Sequence, residues 1–171
     1  MFDTFDHDEE KPVGEKSLES TKKRSLKILG SRQMSASDMK KRLIEKGESE
    51  ENANETVLWL EKIGGINDKD FAEAICLHYS KKGYGAVRIK EELYRRKIEK
   101  YLWDDALALI CQDETNDAAM QFLHKKLRGS DDKDDIRRAA NALCRRGFSY
   151  EDAKKAVSEY FDNLENSEEW S

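Results

Sequence analysis

The sequence predicts an all-α chain of three tandem three-helix repeats, helix-turn-helix-like, in an elongated array. Sliding the 171 residues against themselves by fifty positions aligns Leu43, Leu93 and Leu143 in one column and Lys46, Arg96 and Arg146 in a second. A third column holds Gly47, Lys97 and Gly147, and the quartet Ala53, Thr56, Val57, Leu60 returns as Trp103, Ala106, Leu107, Ile110 and as Ala153, Ala156, Val157, Tyr160. A fixed period of this size marks stacked supersecondary units, which offer surface more often than a catalytic pocket. Composition agrees. Pro12 is the single proline, strand-forming residues are scattered, and Ala, Leu, Glu, Lys and Arg dominate. With 39% charged and 37% hydrophobic residues, the chain suits several thin cores better than one thick one.

In the first repeat, 21–66, a helix is expected from about Thr21 to Arg32, with Leu26 and Leu29 facing inward. The second helix opens at Ser35, which with Asp38 reads as a capping box, buries Met39 and Leu43, and ends at Gly47 in a left-handed conformation. The third runs from about Ser49 to Ile63 and stops at Gly64 and Gly65.

The second repeat, 67–112, begins with a cap at Asp68 or Asp70 and a stripe of Phe71, Ala72, Ile75 and Tyr79. Lys81 and Lys82 suit the negative end of that helix, and Gly83-Tyr84-Gly85 reads as a tight turn. Ile89 and Leu93 face inward on the middle helix, which ends near Lys97, where a lysine takes the left-handed position at a cost of ~1 kcal/mol. Ile98 and Leu102 lead into a third helix carrying Trp103, Ala106, Leu107 and Ile110. In the third repeat, 113–161, a helix begins near Asn116 with Ala119, Phe122, Leu123 and Leu127, and an acidic loop spans 130–135. Ile136, Ala139, Ala140 and Leu143 follow on the core side, Gly147 ends the helix, and Ser149 with Asp152 caps the last one.

The net charge of −5 conceals an uneven distribution. Residues 1–20 hold seven acids and two lysines, and 162–171 hold four acids and no Lys or Arg, which leaves 29 basic and 25 acidic residues between two acidic tails. These tails read as solubilising extensions, or as competitors of an anionic partner for the basic body. No apolar run approaches the roughly twenty residues that cross a bilayer, and the acidic start is unlike a secretory signal, so a cytoplasmic protein without membrane contact is expected. Cys76, Cys111 and Cys144 form no C-x-x-C pair and read as small hydrophobes in a reducing compartment.

Several segments resemble the RecX family of bacterial recombination regulators. They are Ser35 to Leu43 with Lys46-Gly47, Ile66-Asn67-Asp68-Lys69-Asp70-Phe71-Ala72, Lys82-Gly83-Tyr84-Gly85-Ala86-Val87-Arg88-Ile89 with Glu92-Leu93, and Leu143-Cys144-Arg145-Arg146-Gly147-Phe148 with Ser149 to Ala153. The resemblance spans about 21–161 and implies a protein that lodges along the groove of the RecA nucleoprotein filament and restrains ATP hydrolysis and strand exchange. Lys97 stands where the family has glycine, and Ala86 where it often has proline.

Independently of the resemblance, the strongest surface signal is basic. Arg88 and Arg95, seven residues apart, share a helix face with Arg96 alongside, and Arg138, Arg145 and Arg146 repeat the placement. Lys81, Lys82, Lys90 and Lys97 extend the first patch, and Tyr84 adds an aromatic plane. Guanidinium groups suit phosphates and carboxylates alike, so both RecA side chains and the DNA backbone fit. Such charge runs equally solvate a helix face, pair with nearby acids or complement a helix C-terminus. With few Asn or Gln in the stripe, any DNA contact is expected to be weak, backbone-directed and salt-sensitive. A stand-alone DNA-binding module is the competing reading. An enzyme is not expected: His7, His78 and His124 have no metal-site spacing, and no phosphate loop, nucleophile elbow or dinucleotide fingerprint occurs. Trp59 and Trp103 read as core anchors, with Trp170 in the acidic end. The expectation is a monomer without cofactor or metal.

Overall fold

The computed structural model describes residues 17–110 and 112–168. His7, Pro12, Cys111 and Trp170, with most of the acidic tails, lie outside the described residues. All regular structure among the described residues is helical. The chain divides into two compact units, Met1–Ile66 and Asn67–Ser171.

The first unit contains α1 (Leu18–Leu29), α2 (Ala36–Glu45) and α3 (Glu50–Lys62). Ser35 and Ser49 cap α2 and α3 by accepting from the amides of Asp38 and Asn52, each at 3.1 Å. Met34, Met39, Leu43, Ala53, Val57, Leu60 and Ile66 form the core, and Trp59 packs against its edge. Helix α1 departs from the expected pattern. It starts three residues before Thr21, because Ser17 caps it, and Leu26 is 47% exposed. The inner face is polar, with Thr21 and Ser25 fully buried.

The cause lies in α2's C-terminal turn. Glu48, Ile98 and Phe148 occupy the same place in the three repeats, their amides bonding the carbonyls of Leu43, Leu93 and Leu143 at 3.1, 3.0 and 3.2 Å. In the second and third repeats this position buries a hydrophobe, but in the first it buries a glutamate. A buried carboxylate demands partners. Thr21 Oγ1 donates to Glu48 Oε2 at 2.8 Å, and Arg24 Nε lies 2.8 Å from Oε1.

The second unit holds α4 (Asp68–Lys81), α5 (Ala86–Arg95), a 3-10 turn (Lys100–Leu102), α6 (Trp103–Ala108), α7 (Gln112–Leu127), α8 (Lys133–Arg145) and α9 (Tyr150–Glu168). The cap of α4 is Asn67, one residue before Asp68 and three before Asp70, the two expected caps, with Oδ1 accepting from Lys69 and Asp70 at 3.1 and 3.3 Å. Asx caps accept from amides two and three residues on, which fits Asn67 and leaves both aspartates inside the first turn. Helix α6 is shorter than expected and ends at Ala108, yet Ile110 still packs on its core beyond the helix. Trp103 joins that core and donates Nε1–H to Ile98 O at 3.0 Å. Helix α7 opens four residues before Asn116, and α9 continues as far as Glu168, into the stretch expected to be tail. Ser149 and Asp152 form the reciprocal cap the sequence suggests, the hydroxyl donating to Oδ2 at 2.7 Å and accepting from the Asp152 amide at 3.0 Å.

Two cores serve this unit, one around Ile75, Ile89 and Leu93 and another around Leu123, Leu143 and Tyr160. Gly47 (φ 80), Lys97 (φ 56) and Gly147 (φ 88) are all left-handed, as the third column of the repeat requires.

The start of α5 is held by the end of α8. Gly85 has no side chain with which to cap α5, so its own amide and that of Val87 donate to the carbonyls of Arg146 and Gly147, both at 3.0 Å. The carbonyl-rich end of one helix thus satisfies the amide-rich start of another. Glycine is required on both sides. A Cβ on Gly85 would stand 2.2 Å from Gly147 O, and one on Gly147 would stand 2.3 Å from Arg88 Cβ.

Candidate functional site

Helix α5 is amphipathic. Ile89 and Leu93 enter the core, while Lys90, Glu91, Tyr94 and Arg95 are exposed. On its basic flank the expected arginines do gather, though around a residue that the charge pattern did not single out. Glu92, its side chain 2% exposed, lies four residues from Arg88, three from Arg95 and four from Arg96. Arg88 Nη2 reaches Glu92 Oε1 at 3.1 Å, and Arg95 Nε donates to Oε2 at 3.1 Å. Arg96 Nε lies 4.0 Å from Oε2, with its guanidinium over the Phe71 ring. Arg88 Nη1 also bonds Glu91 at 3.0 Å.

Burial alone would push the Glu92 carboxyl up. Hydrogen bonds from Arg95 and Tyr79 and the charges of Arg95 and Arg88 outweigh it and hold the carboxyl below its usual range. The same pairing raises Arg95 above the ordinary guanidinium value. Arg88 and Arg95 are held by Glu92 and remain partly open to solvent, with side-chain exposures of 42% and 66%, and Arg96 beside them is 39% exposed.

The remaining expected residues separate. Lys81, Lys82 and Lys90 are exposed, with Lys82 Nζ 6.0 Å from the Tyr79 ring centroid, and Lys97 is half-buried in the turn after α5. Arg146 is taken up inside the unit: it donates from Nε to Gly83 O at 3.2 Å and from Nη2 to Lys82 O at 3.0 Å. It also lies between the rings of Tyr84 and Phe122, at 5.2 and 5.1 Å. Tyr84, the expected aromatic plane, therefore meets the third repeat. Arg138 pairs with Asp135 at 2.9 Å, while Arg145 is exposed and forms no ion pair among the described residues. The repeated arginine columns thus have different local roles. In α5 they converge on one carboxylate, and in α8 one residue clasps the neighbouring repeat.

Glu92 was legible as an i+4, i−3 and i−4 partner, a spacing rule that needs no structure. The clasp was not, because its partners are more than sixty residues apart. Among the described residues, no group of three or more His, Cys, Asp or Glu is arranged to hold a metal, and no helix is long and apolar enough to cross a membrane. Cys76 is buried, and burial pushes its thiol up to about 11, as an inert core cysteine requires.

Two family models match this chain: the second three-helix domain of RecX at residues 67–107 and the third at 112–157. A regulatory protein RecX from Deinococcus radiodurans is 27% identical over 125 residues, 72% of this chain and 60% of that protein. One from Xanthomonas oryzae pv. oryzae is 29% identical over 127 residues, 73% of this chain and 79% of its own length. The crystal structure of RecX from Lactobacillus salivarius superposes with a TM-score of 0.77 at 21% identity, covering 84% of this chain and 96% of that one, and so shares the fold. The two domain matches, which together span half of the sequence, show with the shared fold in support that the chain belongs to the RecX family of regulatory proteins.

Proposed function

We propose that this chain regulates the RecA recombinase by docking along its nucleoprotein filament and damping its ATPase, strand-exchange and coprotease activities, and thereby modulates homologous recombination, DNA repair and the SOS response. It acts as a cytoplasmic monomer and without catalysis of its own. The observation that carries the reading is the outward-facing arginine cluster on α5, inside the segment that matches the second RecX domain. Repeat proteins offer extended faces suited to polymeric partners, and a filament of DNA and protein presents phosphates and carboxylates at regular intervals. Arg88, Arg95 and Arg96 form the docking face, and Lys81, Lys82, Lys90 and Arg145 are further exposed cations outside that cluster.

The test is RecA-driven ATP hydrolysis on single-stranded DNA with the protein titrated in. Inhibition is expected at amounts stoichiometric with the filament. No inhibition, together with steeply salt-dependent binding to bare DNA, would replace the proposal with a stand-alone DNA-binding module.

A further inference from the structure

We infer that Glu92 is a positioning residue, holding Arg88 and Arg95 as one preorganised guanidinium pair, with Arg96 beside it, that takes the phosphodiester backbone of single-stranded DNA. The inference rests on α5 being the docking face, and not on the identity of the filament protein.

Arginine side chains on a helix surface ordinarily sample many rotamers, and holding them still on binding costs entropy. Here one buried carboxylate fixes them beforehand. Arg88 and Arg95 are seven residues apart, about 10 Å along a helix axis, yet both reach the same carboxyl group, so their heads are drawn toward each other. Glu92 uses only their inner N–H groups. Arg95 and Arg88 still expose 66% and 42% of their side chains, Arg88 with its Nη1 shared with Glu91, and guanidinium donors of this kind match phosphate oxygens.

Phosphodiester is favoured over protein carboxylate by the aromatic rings in the adjoining sequence. Tyr94, the residue before Arg95, is 71% exposed, and Tyr101, in the 3-10 turn that follows, is 78% exposed. Bases stack on such rings while the backbone tracks neighbouring cations. Acidic side chains have no comparable use for them.

The experiment measures binding of the full chain and its variants to a fluorescein-labelled oligothymidine across a salt series, with RecA ATPase inhibition followed in parallel. Glu92→Gln removes a negative charge, so charge alone predicts tighter binding to a polyanion. Positioning predicts the reverse: affinity about five- to ten-fold lower, from arginines no longer preorganised. The slope of log K against log salt should also become shallower by about 0.7 for each phosphate that the cluster no longer neutralises. A simple loss of folded protein would lower affinity equally at every salt and leave the slope alone. Equal or tighter binding by Glu92→Gln, an unchanged slope, or no binding of the oligonucleotide by the natural chain would each overturn the inference.

If circular dichroism shows that Glu92→Gln loses helicity, the double variant Arg88→Lys with Arg95→Lys keeps every charge but removes the forks. It should weaken binding by a similar factor, and unchanged affinity would overturn the inference. If the oligonucleotide results hold and the natural chain fails to inhibit RecA, the regulatory reading fails while the role of Glu92 stands.

Discussion

Glu92 and Glu48 are both buried carboxylates, and they solve the same problem differently. Taking a carboxylate out of water is costly unless donors replace its hydration, so each has recruited arginine. Glu48 is met by Thr21 and Arg24 from another helix, Glu92 by arginines one turn away on its own. For Glu92 the pairing has a pH consequence. Its folded pKa is depressed relative to the unfolded chain, so the stabilisation is complete above the unfolded value, about 4.3, and is lost as pH falls through the folded value. Denaturation of the natural chain followed between pH 7 and pH 3 should show this acid loss, and Glu92→Gln should show less of it. Identical profiles would mean that the pairing is energetically idle.

At the scale of the helix, α1 is the element whose orientation follows from a single residue elsewhere. Its apolar spacing points Leu26 and Leu29 inward, but Leu26 is exposed because Glu48 draws Thr21 and Arg24 toward it. Glu48→Ala should therefore destabilise the first unit by about 1–3 kcal/mol through loss of a buried hydrogen-bond partner. Urea denaturation read at Trp59, which packs on that core, measures it. A change below about 0.5 kcal/mol, the usual size of a surface substitution, would mean that α1 is held by Ile28 and Leu29 alone. Helix α6 teaches a related lesson. Its quartet is at the expected spacing, but only three of the four residues are helical, and Ile110 packs from beyond the last turn.

At the scale of the molecule, the Gly85–Gly147 clasp joins the second and third repeats within one compact unit. Gly147 and Gly129 make a controlled comparison. Both are left-handed, at φ 88 and 86, but a Cβ on Gly129 meets nothing within 4 Å, whereas one on Gly147 collides with the Arg88 backbone and Cβ. Gly129→Ala should cost only the backbone strain, ~1 kcal/mol. Gly147→Ala should cost a further ~1–3 kcal/mol and loosen the clasp. Chemical denaturation read at Trp103 separates the two, and equal losses would show that the close approach carries no energy.

The fifty-residue period, helix class, left-handed columns and most core positions were open to reading in the sequence, because each reflects neighbours within one turn or one repeat. Lys97 is an instance: its column alone placed it in a left-handed turn, and its φ of 56 agrees. The gathering of Arg88 and Arg95, with Arg96 beside them, was partly legible for the same reason, although the charge pattern alone does not single out Glu92 as their common partner. What only the tertiary structure decided were the fates of Arg146 and Tyr84, bound together where the second and third repeats meet, and the rotation of α1 toward Glu48. Those depend on groups tens of residues apart meeting in space. No local periodicity records such a meeting, since it is set by how whole helices pack and by which buried polar atoms must then find a partner.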